Sequence, residues 1–123
     1  MPGRGSAPGR TELGCRAEEL VARGLEAQGY LIVGRNVRVG RLELDIIARR
    51  GRTLIVCEVR ARRDARWVHP AETIDSRKQS RIRQATARWL AVASLGPVRV
   101  RFDAAAVVFD VPEGRVQYYE NAF

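Results

Sequence analysis

Apolar positions recur first at helical spacing and then, from about residue 30, at strand spacing. Leu13, Ala17, Leu20, Val21 and Leu25 fall on one helical face behind Thr11, an N-cap residue type, so the spacing predicts a helix that Gly29 ends. Tyr30–Val39 reads as a strand with Gly34 as a candidate bulge, and Gly40-Arg41 as a turn. Leu42–Ala48 alternates, which sets Leu42, Leu44 and Ile46 on one face and Glu43, Asp45 and Ile47 on the other. Arg49-Arg50-Gly51-Arg52 makes a tight hairpin connection into Leu54–Arg60, the most apolar strand and the one expected at the centre of the sheet. A polar loop, Arg62–His69, leads to Pro70, which suits the first position of a helical region. From Ser76 to Ala93, Ile82, Ala85, Trp89 and Val92 form an apolar stripe, while Arg77, Arg81, Gln84 and Arg88 form a basic ridge. Gly96-Pro97 stops that helix, and two strands follow, Val98–Phe109 and Gly114–Tyr119. The order α-β-β-β-α-β-β predicts a mixed α/β fold in which a three-stranded meander is followed by a crossover helix. Residues 1–10 read as a flexible basic tail and 11–123 as a single domain.

The hairpin brings two carboxylates together. With Arg50-Gly51 as its turn, Glu43 lies opposite Glu58 and Asp45 lies diagonal to it. With Gly51-Arg52 as the turn, Asp45 faces Glu58 directly. Either register puts Asp45 and Glu58 on one face within about 8 Å. Such a pair needs a proton, an arginine or a divalent cation to relieve its repulsion. Mg²⁺ is suited to one or two carboxylates plus water and phosphate oxygens. The plain alternative is an ion pair of Glu58 with Arg60 or another arginine on a solvated sheet face. Glu18, at the margin of the first helix's apolar face, can point toward Asp45, whereas Glu19 lies further round toward solvent.

Composition narrows the partners. A hydrophobic content of 46% over 123 residues supports one core, and no run approaches the roughly 20 apolar residues of a spanning helix. The N-terminal segment has no apolar centre, so no secretory signal is expected and the protein reads as cytoplasmic. Cys15 and Cys57 read as reduced thiols, and a single histidine, His69, argues against a histidine metal site or a Ser-His-Asp triad. The net charge is +8, and Lys78 is the one lysine among 22 basic residues. Arginine forks match phosphate oxygens, so nucleic acid, DNA before RNA, is the expected partner rather than a membrane. An arginine-rich surface that serves only solubility is the competing reading. Trp67 is expected to cover the core edge, with stacking on a base as its alternative.

These residues also carry a resemblance. Gly14-x-x-Ala17-Glu18, Gly29-Tyr30, Arg35-Asn36, Glu43-Leu44-Asp45-Ile46-Ile47-Ala48, Val56-Cys57-Glu58-Val59-Arg60, Lys78-Gln79-x-Arg81, Arg101-Phe102-Asp103 and Asn121-Ala122-Phe123 stand in this order. The chain resembles the YraN-like family of small bacterial proteins, grouped by fold with PD-(D/E)xK nucleases and Holliday-junction resolvases. The resemblance implies a restriction-endonuclease-like core, a mixed sheet flanked by helices. It implies a Mg²⁺ site at Glu18, Asp45 and Glu58, with Arg60 where the superfamily has its lysine. An arginine does not give up its proton, so Arg60 would act by orienting water or by stabilising charge. Arg35, Arg62, Arg63, Arg77, Lys78, Arg81 and Arg88 are the expected nucleic-acid contacts. The implied function is a nucleic-acid-binding protein acting as a Mg²⁺-dependent endonuclease on structured DNA. The alternative is a non-catalytic binding module or protein-interaction scaffold that has lost nuclease activity.

Overall fold

The computed structural model describes residues 11–64 and 74–123. The basic tail and the segment containing Trp67, His69 and Pro70 lie outside the described residues. Among the described residues seven elements follow in the expected order: α1 (Glu12–Ala27), β1 (Leu31–Val39), β2 (Leu42–Arg50), β3 (Thr53–Arg62), α2 (Ser76–Ala93), β4 (Arg99–Val108) and β5 (Arg115–Tyr119). Thr11 caps α1 by accepting the Gly14 amide at 2.9 Å, and Asp75 caps α2 by accepting the Lys78 amide at 2.9 Å. Each cap satisfies a main-chain donor that the helix itself leaves without a partner.

The strands form one five-stranded sheet in the order β1-β2-β3-β4-β5. β1, β2 and β3 are antiparallel, β3 and β4 are parallel, and β5 returns antiparallel to β4. A parallel neighbour requires a crossover, and α2 supplies it. β3, the most apolar strand, takes the central place, where both its faces are covered. One core lies under α1, where Ala17, Val21 and Leu25 pack on Ile46, Ala48, Ile55 and Cys57. The other lies under α2, where Ile82 and Ala85 pack on Leu44, Ile47, Leu54 and Val56.

Simple alternation fails within β2. Leu44 packs with Ile47 under α2, and Leu42 with them, whereas Ile46 and Ala48 face α1. Leu44 and Ile46 therefore point to opposite faces, not to the same one as strict period two expects. The slip lies at Asp45. On the neighbouring strand Arg35 pairs with Ile46 and Val37 with Leu44, and the intervening Asn36 is left-handed at φ 50°. Asparagine tolerates that conformation better than most residues. Both strands turn over together, which frees Asp45 from the regular pleat. The expected bulge is also present, with the register shifting between Ile32 and Gly34.

The apolar stripe of α2 departs from expectation at Val92. Trp89 and Leu90, and Leu95 beyond the helix, pack against the core, but Val92 is 80% exposed at the margin of the stripe.

Candidate functional site

The hairpin adopts the second of the two registers: Arg50 pairs with Thr53, and pairing continues to Ile46 with Cys57. Beyond that pair β2 and β3 part. Asp45 sits in the fork, and its Oδ2 accepts the Val59 amide at 2.9 Å, taking the place of a main-chain acceptor. Glu58, the next residue along β3 from Cys57, is only 4% exposed. Its Oε1 lies 3.6 Å from Lys78 Nζ on the first turn of α2. Its Oε2 is buried and has no hydrogen-bond partner among the described residues. The solvated-face reading of Glu58 therefore does not hold, since a buried carboxylate with an unmatched oxygen is costly.

The electrostatics follow from that enclosure. Burial, with the nearby charge of Glu58, pushes the Asp45 carboxyl up to about 7, and Glu18 adds to the shift. The Val59 amide and Lys78 pull in the other direction. Burial also raises Glu58, against the opposing pull of Lys78 and Arg60. Carboxyls held above their ordinary range hold protons or attract a cation.

Glu18 reaches the same region from α1. It is 7% exposed, and its Oε1 accepts Asn36 Nδ2 at 2.9 Å. Glu19 instead turns outward to pair with Arg23 and Arg35, each at 2.7 Å. Among the described residues, no three carboxylate, thiol or imidazole side chains close up as a ready-made metal cage. The donors that fit a divalent cation are Asp45 and Glu58: two adjacent carboxyls with raised pKa values and one unmatched oxygen. That number suits Mg²⁺, which usually keeps several waters.

The basic residues divide into groups. Arg60 is half-buried, and its charge bears on Glu58. Arg62 is half-buried at the end of β3 rather than in a loop, Arg63 beside it is exposed, and Arg77 is exposed on the first turn of α2. Arg81 and Arg88 are exposed along α2. Arg35 is engaged by Glu19, and Lys78 by Glu58. Gln79 turns away, its Nε2 donating to the Ile74 carbonyl at 2.9 Å. Other arginines serve the scaffold, with Arg50 over Tyr30, Arg83 over Phe102 and Arg16 over Phe109.

Two residues that the sequence offered only as part of the family pattern hold larger roles. Asn36 bridges the strand turnover to Glu18, and its signal was the Arg35-Asn36 step inside an apolar strand. Asp103 is fully buried and accepts from Arg101 Nε and Nη2, from the Tyr118 hydroxyl at 2.6 Å and from the Asn121 amide at 3.0 Å. So complete a set of donors holds β4, β5 and the C-terminal residues together. Burial pushes the neighbouring Cys57 thiol well above its ordinary value, which makes it an unreactive core residue. Cys57 and Cys15 are both free thiols. No helix among the described residues is long and apolar enough to cross a membrane.

A mixed five-stranded sheet between α1 and α2, with acidic residues where β2 and β3 part, is a restriction-endonuclease-like α/β core. Within that class the chain belongs to UPF0102, the uncharacterised YraN-like family, whose profile matches residues 17–107. It is 47% identical to a UPF0102 protein of Sorangium cellulosum over 98% of this chain and 87% of the relative. A UPF0102 protein of Acidothermus cellulolyticus is 38% identical over 97% of this chain and 98% of its own length. One from Geobacter sulfurreducens is 38% identical over 90% and 88%.

Proposed function

We propose that this protein binds nucleic acid and hydrolyses phosphodiester bonds in structured DNA, with Mg²⁺ held by Asp45 and Glu58 and with Glu18 behind them. The reading rests on one observation above the others. The buried carboxyl of Glu58 and the half-buried one of Asp45 share the β2–β3 fork, both with raised pKa values, and one oxygen of Glu58 has no partner among the described residues. The bound cation would activate a water and offset charge developing on the phosphate. The chain's own groups do the rest. The Val59 amide fixes Asp45, and Asn36 fixes Glu18. Lys78, the lone lysine, sets beside Glu58 an ammonium, a group that can give up a proton where the Arg60 guanidinium supplies charge alone. Arg62, Arg63 and Arg77 are the phosphate contacts around the fork, and the cytoplasm is the compartment in which such a substrate is met.

A second reading has its own observation. Arg60 stands in the motif's lysine position, which favours a module that binds nucleic acid without cleaving it. Cleavage of duplex, single-stranded and four-way-junction DNA with Mg²⁺ or Mn²⁺ separates the two. Hydrolysis by the wild type that an Asp45→Asn, Glu58→Gln variant lacks supports the first. Equal binding by both proteins without hydrolysis supports the second.

A further inference from the structure

Two concavities lie side by side between α2 and the β1–β2 turn, outside the carboxylate fork. One, of about 430 Å³, is lined by Val39, Arg41, Leu42, Arg81, Gln84, Ala85 and Arg88. The other, of about 400 Å³, is lined by Arg38, Val39, Gly40, Arg88, Trp89 and Val92. They share Val39 and Arg88 and so form one trough. Its floor is apolar, including the half-buried Trp89 and the largely exposed Val92. Its rim carries Arg38, Arg41, Arg81 and Arg88, and among the described residues none of these four side chains is tied up by an ion pair or hydrogen bond. The contrast with Arg35, Arg50, Arg83, Arg101 and Arg115, each held by a carboxylate or a ring, is direct.

The β1–β2 turn is shaped around one of these arginines. Gly40 has φ +61°, and a Cβ there would stand 3.2 Å from Arg88 Nη1, so the missing side chain lets the guanidinium lie against the turn. Arg81 is one helical turn beyond Lys78, and the ridge from Lys78 to Arg88 spans about 15 Å of helix axis. The trough thus begins beside the acidic fork and leads away from it.

An apolar floor under guanidinium groups that are unpaired among the described residues matches a ligand with flat apolar faces and regularly spaced negative charges. A paired duplex keeps its base faces stacked inside and offers only its phosphates. An unpaired strand offers both. An acidic peptide would satisfy the rim and leave the floor, Trp89 above all, without a partner. We infer that this trough binds an unpaired stretch of nucleic acid, bases on Val39, Leu42 and Trp89 and phosphates on Arg38, Arg41, Arg81 and Arg88. This deepens the proposed function by making a single-stranded arm the feature that the protein recognises next to its cleavage site, and it rests on that reading for the class of partner.

The test is a titration in EDTA, where cleavage is absent, of fluorescein-labelled oligothymidylate, an abasic oligonucleotide of equal length and a hairpin duplex. The full chain is compared with an Arg41→Gln, Arg88→Gln variant, both positions being exposed. The variant should bind oligothymidylate at least tenfold more weakly, with its log K against log salt slope reduced by about 1.4 for two lost phosphate contacts. Its affinity for the duplex should change less than twofold. The abasic strand should bind the wild type about tenfold more weakly than oligothymidylate. In a Trp67→Phe background Trp89 is the one remaining tryptophan, and oligothymidylate should quench it where the abasic strand does not. Equal losses for single strand and duplex, no loss for either, equal binding of the abasic strand, or displacement by polyglutamate at equal charge would each overturn the inference. If the wild type binds none of the nucleic acids, the proposed function fails with it; if duplex binding persists without a single-strand component at the trough, the inference fails alone.

Discussion

Asp45 shows how one side chain couples folding to protonation. Its carboxyl titrates near 7 in the folded chain against an ordinary value of 3.8. The folded state therefore holds a proton that the unfolded chain releases between those values. Without a cation, the contribution of Asp45 to stability should fall by roughly 1.4 kcal/mol for each tenfold drop in proton concentration between about pH 4 and 7, and then level. Asp45→Asn removes the charge but keeps an oxygen for the Val59 amide. It should be more stable than the wild type by a few kcal/mol at pH 8 and nearly equal to it at pH 4, as read by urea denaturation. A wild type as stable as the variant at pH 8 would show that the carboxyl is not desolvated as described. Asp103 is the opposite case, a buried carboxylate with every partner in place. Asp103→Ala should cost about 3–5 kcal/mol by leaving Arg101 and the Tyr118 hydroxyl unmatched, whereas Tyr118→Phe should cost about 1–1.5 kcal/mol. Both are measured by the same denaturation.

At the scale of elements, the fork depends on irregularities in the strands. Gly34 stands where a Cβ would come within 2.7 Å of Val37 Cγ2. Gly34→Ala should therefore cost about 1–3 kcal/mol by disturbing the bulge, visible as a lowered melting temperature. Asp75 both caps α2 and holds the turn that carries Lys78; Asp75→Ala should cost about 1 kcal/mol. Element type and order were legible in the sequence because apolar periodicity and the caps agree along the whole chain. The face of Asp45 was not. Period two places it opposite Ile46, but the paired turnover at Asn36 and Asp45 swings it into the fork, and nothing in β2 alone signals that Asn36 is left-handed. The choice between hairpin registers was likewise open to the sequence, since Gly51 serves either turn; its φ of +61° belongs to the Gly51-Arg52 form. Exposure of Val92 was hidden because helical spacing cannot show how far round an apolar stripe the sheet covers.

On the scale of the whole molecule, charge of +8 was evident from composition, but its division was not. Several arginines brace rings and carboxylates within the scaffold, while Arg38, Arg41, Arg81 and Arg88 share one trough beside α2. The proposed binding surface, concentrated in this way, should give affinity for DNA that falls steeply between 50 and 200 mM salt, with each phosphate contact adding about 0.7–0.9 to the slope. A flat salt profile in fluorescence anisotropy would return the arginine content to a role in solubility. Legibility of the site had the same limit: Glu18, Asp45 and Glu58 could be named from strand alternation and family resemblance, yet the pairing of Lys78 with Glu58 depends on how α2 crosses back over the sheet.

The proposed function turns on the fork between β2 and β3, and the direct measurement is DNA cleavage in Mg²⁺ by the wild type beside Asp45→Asn and Glu58→Gln. The expected result is metal-dependent hydrolysis of structured DNA that EDTA abolishes and that each substitution lowers by at least a hundredfold while DNA binding persists. Hydrolysis that survives both substitutions, or a wild type that binds DNA and leaves every substrate intact in Mg²⁺ and Mn²⁺, would contradict it.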